Sequence, residues 1–275
     1  MSESFCWLLK NYNRRRKSEP RKTVRRREMQ PHIRLNTNMT RAKYALLPGD
    51  PGRVDRIARF LDNAEIIGQN REFRAARGWY QGVEIVVLST GIGGPSTAIA
   101  IEELSQIGVN TLIRIGSCGA LQDSLALGDV IIAHGAVADD GTSKTYAPAS
   151  YPACADPYLT ATLIQQAQQM NISTVCGLVR SHDSFYTDRE AELDAEWSAR
   201  GILGADMETA ALMVVGALRG LRTASLLNVV VAHDGCLESS INHYVQQETL
   251  CQQGEERQIA LALQAIYFDS LQGEQ

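Results

Sequence analysis

Residues 83–119 read VEIVVLSTGIGGPSTAIAIEELSQIGVNTLIRIGSCG, and this stretch decides the fold. Val83–Ser89 is rich in Val and Ile and reads as a strand. It runs into a glycine turn, Thr90-Gly91-Ile92-Gly93-Gly94-Pro95. Beyond the turn Ala100, Leu104 and Ile107 recur at helical spacing on one face. Thr111–Ile115 is the next strand and runs into a second turn, Gly116-Ser117-Cys118-Gly119. A strand followed by a helix and another strand is the repeating unit of a covered parallel sheet.

The same alternation extends outward in both directions. Upstream, Tyr44–Pro48 is a short apolar run ending in Gly49-Asp50-Pro51-Gly52. Asp50 suits an N-cap and Pro51 a first helical position, and Val54, Ile57 and Leu61 continue at helical spacing. Downstream, strands are expected at Val130–Ala133, Val175–Val179 and Leu226–Ala232. Helices are expected at Tyr158–Met170, Met207–Arg219 and Glu255–Leu271; the second is apolar almost all round and therefore buried. The expected fold is α/β: one domain over residues 29–275, with a central, mostly parallel but mixed twisted sheet flanked by helices. In such sheets ligands bind where loops leave the C-terminal ends of the strands.

The chain has 275 residues, 44% of them hydrophobic, which suits a single α/β domain with a large core. No apolar run approaches the roughly 18 residues of a membrane span. Six cysteines without paired spacing point to a reducing cytoplasm rather than a disulfide framework or a zinc site. The net charge of −4 is unevenly distributed. Residues 1–28 carry ten Lys/Arg against three acids, so the remainder carries a net charge of −11. A body that acidic is a poor nucleic-acid binder. The basic tail admits three readings: an arm for nucleic acid or membrane, a targeting segment, or a disordered extension upstream of a start at Met29. Composition favours the extension.

Unusual residues collect at the expected strand ends. Gly49 to Arg53 opens a helix, and helix N-termini bind anions through orphan N–H groups and the dipole. Arg114 lies inside the apolar strand Leu112–Ile115, with no acid adjacent in sequence to compensate it. Ser117 offers a hydroxyl in a glycine-flanked turn. Taken singly, each glycine turn is a tight turn, Arg53 a solvated helix residue and Arg114 half of an internal ion pair. Together they indicate a phosphate or phosphoryl ligand. Asp206-Met207-Glu208 enters a buried helix, where the dipole favours carboxylates. An ionised Glu208 also suits a diol, since it only accepts hydrogen bonds.

Five ordered motifs now resemble a family: Pro48–Val54, Asn70-Arg71-Glu72-Phe73, Ser89–Ser96, Arg114–Ala120 and Asp206-Met207-Glu208. They look like the trimeric and hexameric nucleoside phosphorylases, over about residues 31–268. Residues 90–119, with Asp140-Gly141 through Tyr151-Pro152-Ala153, look most like uridine phosphorylase. Ser117-Cys118-Gly119 and Gly201-Ile202-Leu203-Gly204 look more like the bacterial purine enzymes.

The resemblance implies a pentosyltransferase performing reversible phosphorolysis of a uridine-like nucleoside to free base and ribose 1-phosphate. Inorganic phosphate is the co-substrate and no cofactor is implied. Gly49, Arg53, Arg114 and Ser117 would bind phosphate, and Arg71 would reach the phosphate of a neighbouring subunit. Asp206, Met207 and Glu208 would hold ribose, with His32 contacting the 5′-hydroxyl across the interface. Cys118, Gly119, Phe185 and Arg189 would contact the nucleoside. Glu72, Ile92 and Ser96 match a monovalent-cation site, for potassium, between subunits. The shared sites imply at least a dimer, and the family suggests a hexamer in the cytoplasm, serving nucleoside catabolism and salvage.

The sequence departs from the pattern in three places. The Gln-x-Arg pair that reads uracil is absent from Tyr186-Thr187-Asp188-Arg189-Glu190-Ala191. The Asp that protonates a purine base aligns with Val231, although Asp234 takes that catalytic role if the loop shifts. The first acid of the ribose motif is Asp206, one methylene shorter than Glu. A purine nucleoside is therefore the alternative substrate. A nucleosidase using water is disfavoured by the full set of phosphate arginines. From another class, a nucleoside-binding protein without catalysis rests on the missing base-recognition residues.

Overall fold

A computed structural model describes residues 28–233 and 249–273. The basic tail, apart from residue 28, and Asp234 lie outside the described residues. The strands are β1 (Tyr44–Pro48), β2 (Asp62–Asn70), β3 (Phe73–Tyr80), β4 (Val83–Leu88), β5 (Thr111–Ala120), β6 (Val130–Asp139), β7 (Ala153–Cys154), β8 (Thr174–His182), β9 (Gly204–Asp206) and β10 (Arg222–Val231). The helices are α1 (Pro51–Ala58), α2 (Gly94–Ile107), α3 (Gly141–Tyr146), α4 (Pro157–Gln169), α5 (Glu190–Ser198), α6 (Thr209–Leu218) and α7 (Thr249–Gly273).

All strands join one 10-stranded sheet in the order β10-β6-β8-β9-β5-β1-β4-β3-β2, with β7 on β6. An extra pairing of β10 with β5 closes β5, β10, β6, β8 and β9 into a ring. The pairings of β1 with β4 and β5, of β5 with β10 and of β8 with β6 and β9 are parallel. Antiparallel pairing enters at β2–β3–β4, at β10–β6, at β5–β9 and at β6–β7. The sheet is thus parallel at its centre and mixed overall.

Both faces of the central strands are buried, and alternation assigns each residue to a side. Leu46, Ile85, Val87, Ile113 and Ile115 pack with Leu159 and Leu163 of α4 and Ile259 and Ile266 of α7. Ala45, Leu47, Val86, Leu88 and Leu112 pack with Ile101 and Leu104 of α2 and Leu212 of α6. Continuous apolar strands are what two covered faces require. No helix among the described residues is long and apolar enough to cross a membrane.

The fold departs from the sequence expectation in several places, the short elements α3, β7 and β9 among them. The β2–β3 hairpin is unannounced in the sequence: β2 is mostly exposed, so no alternation marks it, and β3 mixes Arg with small residues. Helix α5 has no buried residue and hence no apolar stripe to find. The residues 116–119 are not a turn. The chain stays extended to Ala120, because β10 pairs with Gly116, Ser117 and Cys118 and β9 with Gly119 and Ala120.

Candidate functional site

A cavity of about 1110 Å³ opens where β1, β5, β8, β9 and β10 end. It gathers Gly49, Arg53, Glu72, Ile92, Ser96, Arg114, Ser117, Cys118, Gly119, Phe185, Asp206, Met207 and Glu208. These residues come from six stretches of the sequence, and the sheet topology brings them together.

Arg53 reaches the cavity from the first turn of α1. Asp50 caps that helix, its side chain accepting from the Gly52 N–H at 2.8 Å. The N–H groups of Gly52 and Arg53 are therefore engaged by Asp50 itself, and the helix contributes its side chains more than orphan amides. Arg53 is buried rather than solvated. It donates from Nε to Glu255 Oε2 at 2.7 Å, from Nη1 to the Ile115 carbonyl at 2.9 Å and from Nη2 to Ser117 Oγ at 2.9 Å. Arg56, one turn on, donates from Nε to the other Glu255 oxygen at 2.5 Å. Burial raises the pKa of Glu255, but Arg56 and Arg53 outweigh it and hold the carboxyl below its ordinary value.

Arg114 points from β5 toward the start of α6. It donates from Nε to Asp206 Oδ2 at 3.0 Å and from Nη2 to Glu208 Oε2 at 2.5 Å. The acids missing beside it in sequence arrive from β9 and the loop after it. Burial opposes its charge, yet the fields of Glu208 and Asp206 raise its pKa further. Its Nη1 is buried and has no partner among the described residues. An unmatched buried guanidinium N–H is costly unless an acceptor meets it. Gly116 makes room for this geometry: a Cβ there would stand 2.7 Å from Arg114 Cζ.

The two acids differ in what they can still accept. Asp206 accepts from Arg114 Nε, Ser181 Oγ at 2.5 Å, Thr209 Oγ1 at 2.6 Å and the Thr209 N–H at 3.0 Å. Three of those bonds fall on Oδ2 and one on Oδ1, so Asp206 supports Arg114 and ties down the start of α6. Glu208 accepts from the Gly93 N–H at 2.5 Å and from Arg114, and it keeps lone pairs for a ligand. Burial raises its pKa and Arg114 opposes that shift.

Other expected residues lie elsewhere. Arg189 is exposed, pairs with Glu192 at 2.9 Å and lines no part of the cavity, because the pair closes on the first turn of α5. His32 lies outside the cavity, with Nδ1 2.6 Å from Glu103 Oε1. Arg71 sits at the tip of the β2–β3 hairpin with φ 54°, exposed, and does not line this chain's cavity, although Glu72 beside it does. Cys118 is buried, and burial pushes its thiol well above the ordinary range. The cavity also holds Arg56, His182 and Glu255, which carry no sequence motif. No signal in the sequence marks Glu255, because its partner Arg53 reads there as a solvated helix residue and only the fold buries it.

With this geometry in place, comparison with known proteins is direct. The phosphorylase superfamily model matches residues 43–266. The chain is similar to the uridine phosphorylase of Escherichia coli K12, 38% identical over 215 residues, covering 73% of this chain and 85% of that one. It is also similar to the guanosine phosphorylase of Halorubrum lacusprofundi, 39% identical over 200 residues, covering 73% and 82%. The crystal structure of uridine phosphorylase from Vibrio fischeri ES114 superposes with a TM-score of 0.82 at 44% identity, covering 88% of this chain and 98% of that one.

Proposed function

The chain belongs to the phosphorylase superfamily, and from that premise we propose that it catalyses reversible phosphorolysis of a uridine-like nucleoside to free base and ribose 1-phosphate. The observation that carries this reading is the unpartnered, buried Nη1 of Arg114 in one cavity with Arg53 and Ser117. Such a donor set calls for an anion with several oxygens.

The chemistry follows from charge. The C1′–N bond breaks, and its electron pair leaves with the base. Positive charge grows on the ribose, and a phosphate oxygen forms the new bond to C1′. Arg53, Arg114 and Ser117 hold that phosphate, while Glu208 accepts the ribose hydroxyls. The departing base takes up a proton. Catalysis here is positioning and electrostatic preorganisation, with no covalent enzyme intermediate.

The assembly belongs to the same proposal. Arg71 and His32 do not line this chain's cavity, which supports their serving a neighbouring subunit's site; on this reading the enzyme works as at least a dimer and, following its family, a hexamer. Glu72, Ile92 and Ser96 adjoin one another at the cavity rim: Ser96 Oγ lies 3.4 Å from the Ile92 carbonyl oxygen. Their oxygens suit a monovalent cation such as potassium, shared across that interface. Cys118 is a buried free thiol, and Cys154 and Cys176 are free thiols at the surface, which supports a reducing cytoplasm and a role in nucleoside catabolism and salvage.

A purine nucleoside is the second reading, favoured by Ser117-Cys118-Gly119 and by the guanosine phosphorylase relative. The test is base release from uridine, thymidine, inosine, guanosine and adenosine, each with and without inorganic phosphate. Phosphate-dependent release from uridine is expected. Equal release without phosphate would make the chain a hydrolase, and no release from any would leave a binding protein.

A further inference from the structure

The Gln-x-Arg pair that the resemblance implies for uracil is absent from residues 186–191, so the base is read from elsewhere. Away from the phosphate arginines the cavity wall is built of Cys118, Gly119, Phe185, Ala205, Val230 and Val231. That wall is apolar and suits the faces of a planar ring. His182 joins it as the imidazole of the lining, at the end of β8, one step past the pairing of Ser181 with Asp206.

The imidazole is fixed in direction and tautomer. Its Nδ1 lies 3.0 Å from the Ser184 carbonyl oxygen. A carbonyl only accepts, so Nδ1 carries the hydrogen. In the neutral ring Nε2 is then an acceptor, and it has no partner among the described residues. Burial, with the Arg180 guanidinium nearby, pushes the pKa of His182 below its ordinary value, against the smaller opposing pull of Ser184, Asp206 and Asp194. The ring is therefore neutral near pH 7.

We propose that His182 is the base-reading residue: Nε2 accepts a hydrogen bond from a ring lactam N–H of the base, the N3–H of uracil. The inference rests on the phosphorolysis reading for its ligand class, a base with an N–H beside a ring carbonyl. Nucleosides whose base has no ring lactam N–H, such as cytidine and adenosine, present a ring nitrogen lone pair that would repel Nε2.

The experiment is calorimetric binding of free uracil and 3-methyluracil to the full chain with phosphate present, which does not depend on turnover. Wild type should bind uracil about tenfold to a hundredfold more tightly, the scale of one hydrogen bond whose loss leaves an acceptor unmatched. His182→Ala should bring the two affinities together by weakening uracil alone. His182→Gln, which retains an acceptor oxygen, should recover part of the preference. A wild type that does not discriminate, or a His182→Ala protein that keeps the wild-type ratio, overturns the proposal. Failure of phosphate-dependent uracil release from uridine, with the binding ratio as expected, would instead overturn the enzymatic reading alone.

Discussion

Arg114 is where a single residue does most. Its single charge serves two buried carboxylates, while Nη1 is left without a partner among the described residues. Removing its charge would leave Asp206 and Glu208 buried and uncompensated, at a cost of about 3–5 kcal/mol. Arg114→Ala therefore confounds stability with activity. Arg114→Lys separates them, since an ammonium keeps the charge but lacks the planar fork that reaches both acids and a third acceptor. The expected result is a melting temperature within a few degrees of wild type and a loss of roughly a hundredfold or more in kcat/KM for phosphate. Phosphate kinetics near wild type would remove Arg114 from the anion site.

At the scale of elements, the phosphate site is held from behind by α7. Glu255 binds Arg53 and Arg56 together, and Gln258, one turn further, donates to the carbonyls of Gly116 at 2.9 Å and Leu226 at 2.5 Å. The helix thus fixes both an arginine of α1 and the strand that carries Arg114. Glu255→Gln keeps the shape of the clamp but removes its charge, so Arg53 loses its ionic anchor at Nε. The Michaelis constant for phosphate should rise about tenfold while that for the nucleoside stays unchanged, and Glu255→Asp should recover part of the loss. Unchanged phosphate kinetics would make the clamp purely structural. Little of this clamp is legible in the sequence, because Glu255 lies 202 positions from Arg53 and belongs to no motif. The strands and helices with apolar periodicity are legible, as are the residues in glycine-punctuated strand ends. Strand β2 and helix α5 are not, since they bury little and periodicity records burial, and β3 is hidden because it mixes Arg with small residues. Asp206 shows the same limit at the site: its place beside Glu208 in the chain suggests one role for both, and only the partners from β5 and β8 separate them.

The whole molecule poses a different question, because part of its expected machinery lies on its outside. Arg71 stands at a hairpin tip in the left-handed region, exposed, with no side-chain hydrogen bond to any described residue. His32 is held by Glu103 outside the cavity, and Ile92 at the rim is 80% exposed. A cationic tip without a partner and an apolar rim are what a subunit contact covers. If Arg71 completes a neighbour's phosphate site, Arg71→Ala and Arg114→Lys each disable every site when alone. In a mixed dimer, however, the Arg71→Ala subunit keeps its own Arg114 and receives an intact Arg71 from its partner. Co-expression or unfolding and refolding of the two variants together should then restore about a quarter of wild-type activity, as random pairing across a two-fold interface dictates. Mixing the two folded proteins without subunit exchange should restore none. An Arg71→Ala protein with wild-type phosphate kinetics, or a co-assembled mixture as inactive as its components, would show that each subunit builds its site alone.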